Sequence, residues 1–222
     1  MEVARISVLD YIREMKKPTV CRLILCAKVT NYEKIIKSIN LAMKENSTEH
    51  VTGLLLINSD FLIHLIEASE DEVFQLCNKL FLINSSVVKN IKCIYIQNNA
   101  KRLFEAWYFR KLNDKIFKGD ETCEDTFETA SSTYKKIILN LHKLYWELRN
   151  VTNREILIEQ LDLISTKGHS CIPSMKDIEF VLQSSWGYDL TKLINDYVNL
   201  NYSCNFDDYS QVSEMVQEIK YD

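Results

Sequence analysis

The segment that most restricts the fold is Val51–Ala68, VTGLLLINSDFLIHLIEA: two apolar runs joined by a two-residue Ser59-Asp60 step, the pattern of a buried β-hairpin. Its polar exceptions carry the functional interest. A single imidazole, His64, interrupts the second strand where an apolar residue would serve the core better, and Asn46 stands just upstream in ENSTEHVTG. By strand alternation His64 shares a side with Leu62 and Ile66. As a structural residue it would be a buried histidine satisfied by a backbone carbonyl, and as a functional one it would face a ligand.

Other elements follow from periodicity and capping. CRLILCAKV reads as the first strand, and residues Asn31–Asn46 as a helix with an apolar face of Ile35, Ile36, Ile39, Leu41 and Met43. Ser69 with Glu72 forms a capping box opening a helix over Val73, Phe74, Leu76, Cys77 and Leu80. Ile91–Gln97 gives a fourth strand and Ala106–Arg110 a fifth. The order β-α-β-β-α-β is that of an α+β, ferredoxin-like fold, one sheet with two helices on one face.

Beyond Gly119 the pattern turns all-helical, after the acidic seam GDETCEDTFETASST. Ile137, Ile138, Leu141, Leu144, Tyr145 and Leu148 form a stripe too broad to face water. Thr152 with Glu155 reads as a second capping box, Lys167-Gly168 as a helix end, and Asp177–Gln183 and Leu190–Val198 as shorter helices. The expected organisation is an N-terminal helical segment over 1–18, a sheet domain over 19–118 and a helical extension over 119–222 packed on it.

The strand and loop motifs resemble the BLUF domain, the flavin-binding blue-light sensor module. The match lies in CRLILCAKV, Asn46 six residues before Thr52-Gly53, FLIHLIEA, and NNAKRLFEAWYF, and covers roughly the first half of the chain. The resemblance places Asn46 and Trp107 at flavin-contacting positions. It also puts Leu25 where the family's photoactive Tyr stands, His64 where its switching Gln stands, and Phe109 at its late Met. A phenol that donates an electron and proton cannot be replaced by Leu25, and His64 keeps hydrogen-bonding capacity without a photochemical partner.

The resemblance therefore implies a vestigial flavin cleft of Asn46, His64 and Trp107, with no cofactor bound and no enzymatic activity. It extends to a testis-expressed, sperm-associated animal group, which implies a cytoplasmic interaction or structural protein of the flagellum, cilium or axoneme, with axonemal or cytoskeletal protein partners. Two alternatives remain open: an FAD- or FMN-binding BLUF-type flavoprotein, and a small acylphosphatase-like enzyme sharing the topology.

Composition excludes other classes. A formal charge of −4 argues against nucleic-acid and membrane-surface partners, which usually demand a basic face. No apolar run is long enough to span a bilayer, and MEVARISVLDYIREMKK is interrupted by charges as a secretory signal would not be. The 7 cysteines lack C-x-x-C pairing and read as reduced packing residues. His169-x-Cys171 offers too few ligands for a closed metal site, and Glu70-Asp71 suits a helix N-terminus better than acid–base chemistry.

Overall fold

A computed structural model of the chain describes residues 19–45, 51–58, 60–82, 87–113 and 124–198. In chain order the elements are β1 (Val20–Val29), α1 (Tyr32–Glu45), β2 (Thr52–Ile57), β3 (Phe61–Ala68) and α2 (Glu70–Cys77), which runs on into a wide π-helical turn at Asn78–Leu82. There follow β4 (Val88–Ala100), β5 (Trp107–Lys111), α3 (Phe127–Arg149), α4 (Arg154–Lys167), α5 (Met175–Gln183), β6 (Tyr188–Asp189) and α6 (Leu190–Val198). The expected helix within residues 1–18 lies outside the described residues.

The strands order as β5-β2-β3-β1-β4-β6. The inner four give the ferredoxin-like arrangement, all antiparallel, so the fold expected from the element order is borne out. β5 adds to the outer edge of β2 in parallel, Gly53 opposite Trp107, and β6 adds to β4. At the β2–β3 hairpin the Asn58 amide oxygen accepts from the backbone N–H of Asp60 and of Phe61, at 3.0 and 2.6 Å.

Both faces of the sheet are covered, which explains why its central strands read as continuous apolar runs. On one face Leu23, Leu25, Ala27, Leu55, Leu62 and Ile66 pack under α1 and α2. On the other, Ile24, Cys26, Leu54, Leu56, Ile63 and Leu65 pack under α3, α4 and α5 through Ile137, Leu141, Leu144, Tyr145, Leu161 and Val181. The C-terminal half is not purely helical: after α5 the chain returns to pair Tyr188–Asp189 with Cys93–Lys92, then lays α6 against the first face through Leu190 and Ile194.

Two sequence-based details are corrected. The buried face of α1 is Ile35, Ile39 and Ala42, spaced at i, i+4 and i+7, whereas Leu41 is turned to solvent. The N-cap of α4 is Asn153, whose side chain accepts from the N–H of Glu155 and Ile156. The Asn153 amide oxygen, one residue later, already accepts from these donors, so no Thr152–Glu155 box is needed. The box at Ser69 and Glu72 is present in both directions.

Candidate functional site

β3 delivers His64 to the α1/α2 face, as alternation requires. In the sheet register it stands opposite Leu25 on β1 and Leu55 on β2, and the same row continues to Cys93 on β4 and Phe109 on β5. Trp107, two residues before Phe109, lies over Gly53. That position needs glycine: its φ is +142°, and a Cβ there would lie 2.0 Å from the carbonyl oxygen of Leu65.

His64 and Trp107, singled out separately in the sequence, meet. The indole Nε1–H of Trp107 donates to His64 Nε2 at 3.1 Å, with the rings edge-on at 75° and centroids 6.2 Å apart. Trp107 in turn lies nearly parallel to Phe109, at 9° and 6.4 Å. An acceptor at Nε2 fixes the neutral tautomer with its proton on Nδ1. Nδ1 has no hydrogen-bond partner among the described residues, and burial alone pushes the imidazole pKa down to about 3. The backbone carbonyl expected for a structural histidine, which would accept from a ring N–H, is not found among the described residues: the indole donates to Nε2, and the Nδ1–H is left without an acceptor.

Asn46, the third member of the expected cleft, lies outside the described residues. The other members can be tested against a flavin ring. Leu25, Ile35, Ile39, Leu55, His64, Ile66 and Val73 all have 0% exposure. No solvent reaches these side chains, so as packed they leave no open room beside them for an isoalloxazine ring in the cleft expected between α1 and α2. The chemistry of the set points the same way: Leu25 offers no hydrogen bond, and the one acceptor on His64 is already engaged by Trp107.

A polar cluster that sequence reasoning missed lies at the end of the sheet where β1 begins and β3 ends. Glu67, fully buried, accepts from Arg22 Nε at 2.9 Å, from the backbone N–H of Leu103 at 3.0 Å and from that of Phe104 at 3.2 Å. Arg22 also donates to Gln97 and to the carbonyl of Lys101, and Arg102 donates to Thr52 Oγ1 and the Glu67 carbonyl. This cluster ties the β4–β5 connection to the central strands. Its signal was available: Arg22 lies inside the apolar run of β1, whose other charge, Lys28, stands near its far end, and Glu67 is the one charge of β3, and buried charges of this kind need partners.

The remaining candidates are structural. His169 Nδ1 accepts from the N–H of Cys171 and its Nε2 lies 3.3 Å from Glu147, and no metal-holding cluster occurs among the described residues. Glu70 and Asp71 sit in the first turn of α2.

A family model described as Testis-expressed protein 47 matches residues 19–199. The chain belongs to this family. Solved structures it is similar to are light-sensing BLUF proteins. The BlrP1 BLUF protein is 17% identical, with 71% of this chain and 98% of that chain covered and a TM-score of 0.38. BlrB, a BLUF protein in its dark state, is 20% identical over 44% of this chain and 74% of its own, with a TM-score of 0.34. A bacterial light-regulated adenylyl cyclase is 21% identical over 56% of this chain, TM-score 0.37, and the chain spans only 35% of that protein's length. No curated protein matches. Among the described residues no helix is long and apolar enough to cross a membrane.

Proposed function

We propose that this member of the Testis-expressed protein 47 family is a light-insensitive, non-enzymatic BLUF-like module that works through protein contacts in the cytoplasm of the sperm flagellum, as an interaction or structural component of the axoneme. The observation that carries the loss of photochemistry is the sealed row Leu25–His64–Leu55 with His64 held by Trp107. Leu25 supplies no electron donor, and the complete burial of this row supports a cleft without room for a ring. The testis-expressed family supports the sperm setting, and a sheet covered on both faces suits a rigid scaffold more than a sensor that must rearrange.

A second reading, retained flavin binding, is favoured by one feature: the unpartnered Nδ1–H of His64 is a buried donor that a polar ligand could satisfy. One experiment separates the two. The purified protein is mixed with excess FAD or FMN, desalted, and its visible spectrum recorded before and after blue light. The expected result is a colourless protein with no light-induced change. Stoichiometric flavin with a reversible red shift would overturn the proposal. Immunolocalisation in sperm tests the setting, and absence from the flagellum would reject it.

A further inference from the structure

Two adjoining recesses of roughly 640 and 610 Å³ open where the β4–β5 connection meets α3 and the start of α4, and they share Lys101, Leu103 and Arg149. Their charge is out of keeping with a chain of net −4. Among the described residues Arg22, Lys101, Arg102, Arg149 and Arg154 line them against a single carboxylate, Glu105. Arg22 pairs with the buried Glu67 carboxylate, whereas Arg102 reaches only the backbone carbonyl of Glu67 and the hydroxyl of Thr52 and makes no ion pair among the described residues. Lys101, Arg149 and Arg154 make no ion pair among the described residues; Arg149 instead lies 5.1 Å from the ring of Trp146, itself 56% exposed. His142, in the same wall, is held below its usual pKa by burial and then by the charge of Arg22.

We infer that this groove docks an acidic, partly apolar segment of a partner protein. The inference rests on the interaction-module reading above and names the chemistry of the partner. A compact phosphate ligand is disfavoured because the main-chain donors it would use are already taken. The N–H groups of Leu103 and Phe104 point at Glu67, and those of Glu155 and Ile156 at the start of α4 are capped by Asn153. What remains is a spread of long cationic side chains with the exposed Trp146 and half-buried Leu103 among them, backed by the core residues Leu148 and Leu157, which matches carboxylate and apolar side chains along an extended chain.

The test uses the full chain and fluorescence anisotropy with a labelled peptide alternating glutamate and leucine. Saturable binding is expected, weakening as salt rises, because exposed ion pairs are screened. The double variant Lys101→Glu, Arg154→Glu, both exposed positions, should keep its urea midpoint and lose at least about tenfold in affinity. Should that variant fail to fold, Lys101→Gln with Arg154→Gln and the salt titration of the natural chain carry the same test.

No binding, or equal binding of a lysine–leucine peptide, would overturn the inference. So would displacement by ATP or inorganic phosphate, which would mark a small-anion site, or preferential capture by vesicles rich in phosphatidylserine. The flavin spectrum and the sperm localisation are read independently of this titration, so a failure here leaves the proposed function standing or falling on its own results.

Discussion

Acidification should destabilise this protein through one side chain, His64. Its imidazole is fully buried, its Nε2 is occupied by the Trp107 indole, and its pKa falls from 6.5 to about 3 on folding. A histidine depressed in the folded state binds fewer protons than in the unfolded chain. Its contribution to stability is complete above about pH 6.5 and is lost as pH falls toward 3. The slope approaches 1.4 kcal/mol per pH unit, so between pH 7.5 and 4.5 the loss from this residue is about 3 kcal/mol. That is a large part of a typical domain stability of about 5–15 kcal/mol. Urea unfolding at a series of pH values, for the natural chain and for His64→Gln, isolates the term. Glutamine stays neutral and can still accept from Trp107, while the carboxylates and other histidines cancel in the difference. The natural chain should lose stability more steeply than the variant over this range. Parallel profiles would show that His64 is solvated or already charged, and the sealed-row argument would fail with it.

The Glu67 cluster predicts that Glu67→Leu, by removing the counter-charge of Arg22 and the acceptor of its Nε–H and of two backbone N–H groups, costs about 3–5 kcal/mol in chemical denaturation; a cost below about 1 kcal/mol would contradict the described network. Gly53→Ala forces a Cβ onto the Leu65 carbonyl and should lower stability by at least about 3 kcal/mol or prevent soluble expression. Tyr145, whose Oη is buried without a hydrogen-bond partner among the described residues, should tolerate Tyr145→Phe with a change within about 1 kcal/mol or a gain. Burial pushes the thiol of Cys21 up to about 11 and that of Cys93 up to about 12, and raises those of Cys26 and Cys77 as well, so a thiol reagent at neutral pH should modify these four only after denaturation.

The sheet was legible because its strands carry strong local signals: unbroken apolar runs, a two-residue hairpin step and a reciprocal cap at Ser69 and Glu72. His64 and Trp107 were legible as candidates because each is anomalous or motif-matched in its strand. Their mutual hydrogen bond was not, since it depends on β5 lying parallel beside β2, a pairing of residues far apart in sequence. The Arg22–Glu67 pair was hidden for the same reason, although strand pairing places the two directly opposite. On α1, periodicity tolerated several faces, and tertiary packing chose the one bearing Ala42 in place of Leu41. β6 has only two residues and no apolar pattern of its own; it exists because α5 ends where the β4 edge is within reach.

That short strand has a consequence for synthesis. β4 pairs on one side with β1, and among the described residues its other edge is met at Lys92 and Cys93 by Asp189 and Tyr188 alone. A nascent chain made at about 5–20 residues per second needs on the order of 5–20 s to supply the roughly 100 residues between edge and cover. During that interval a sheet already able to form presents unpaired backbone groups and the apolar surface of its second face, the conditions under which strands pair with the wrong neighbour. A fragment ending before α3 should therefore aggregate when expressed alone, which a solubility comparison with the full chain checks.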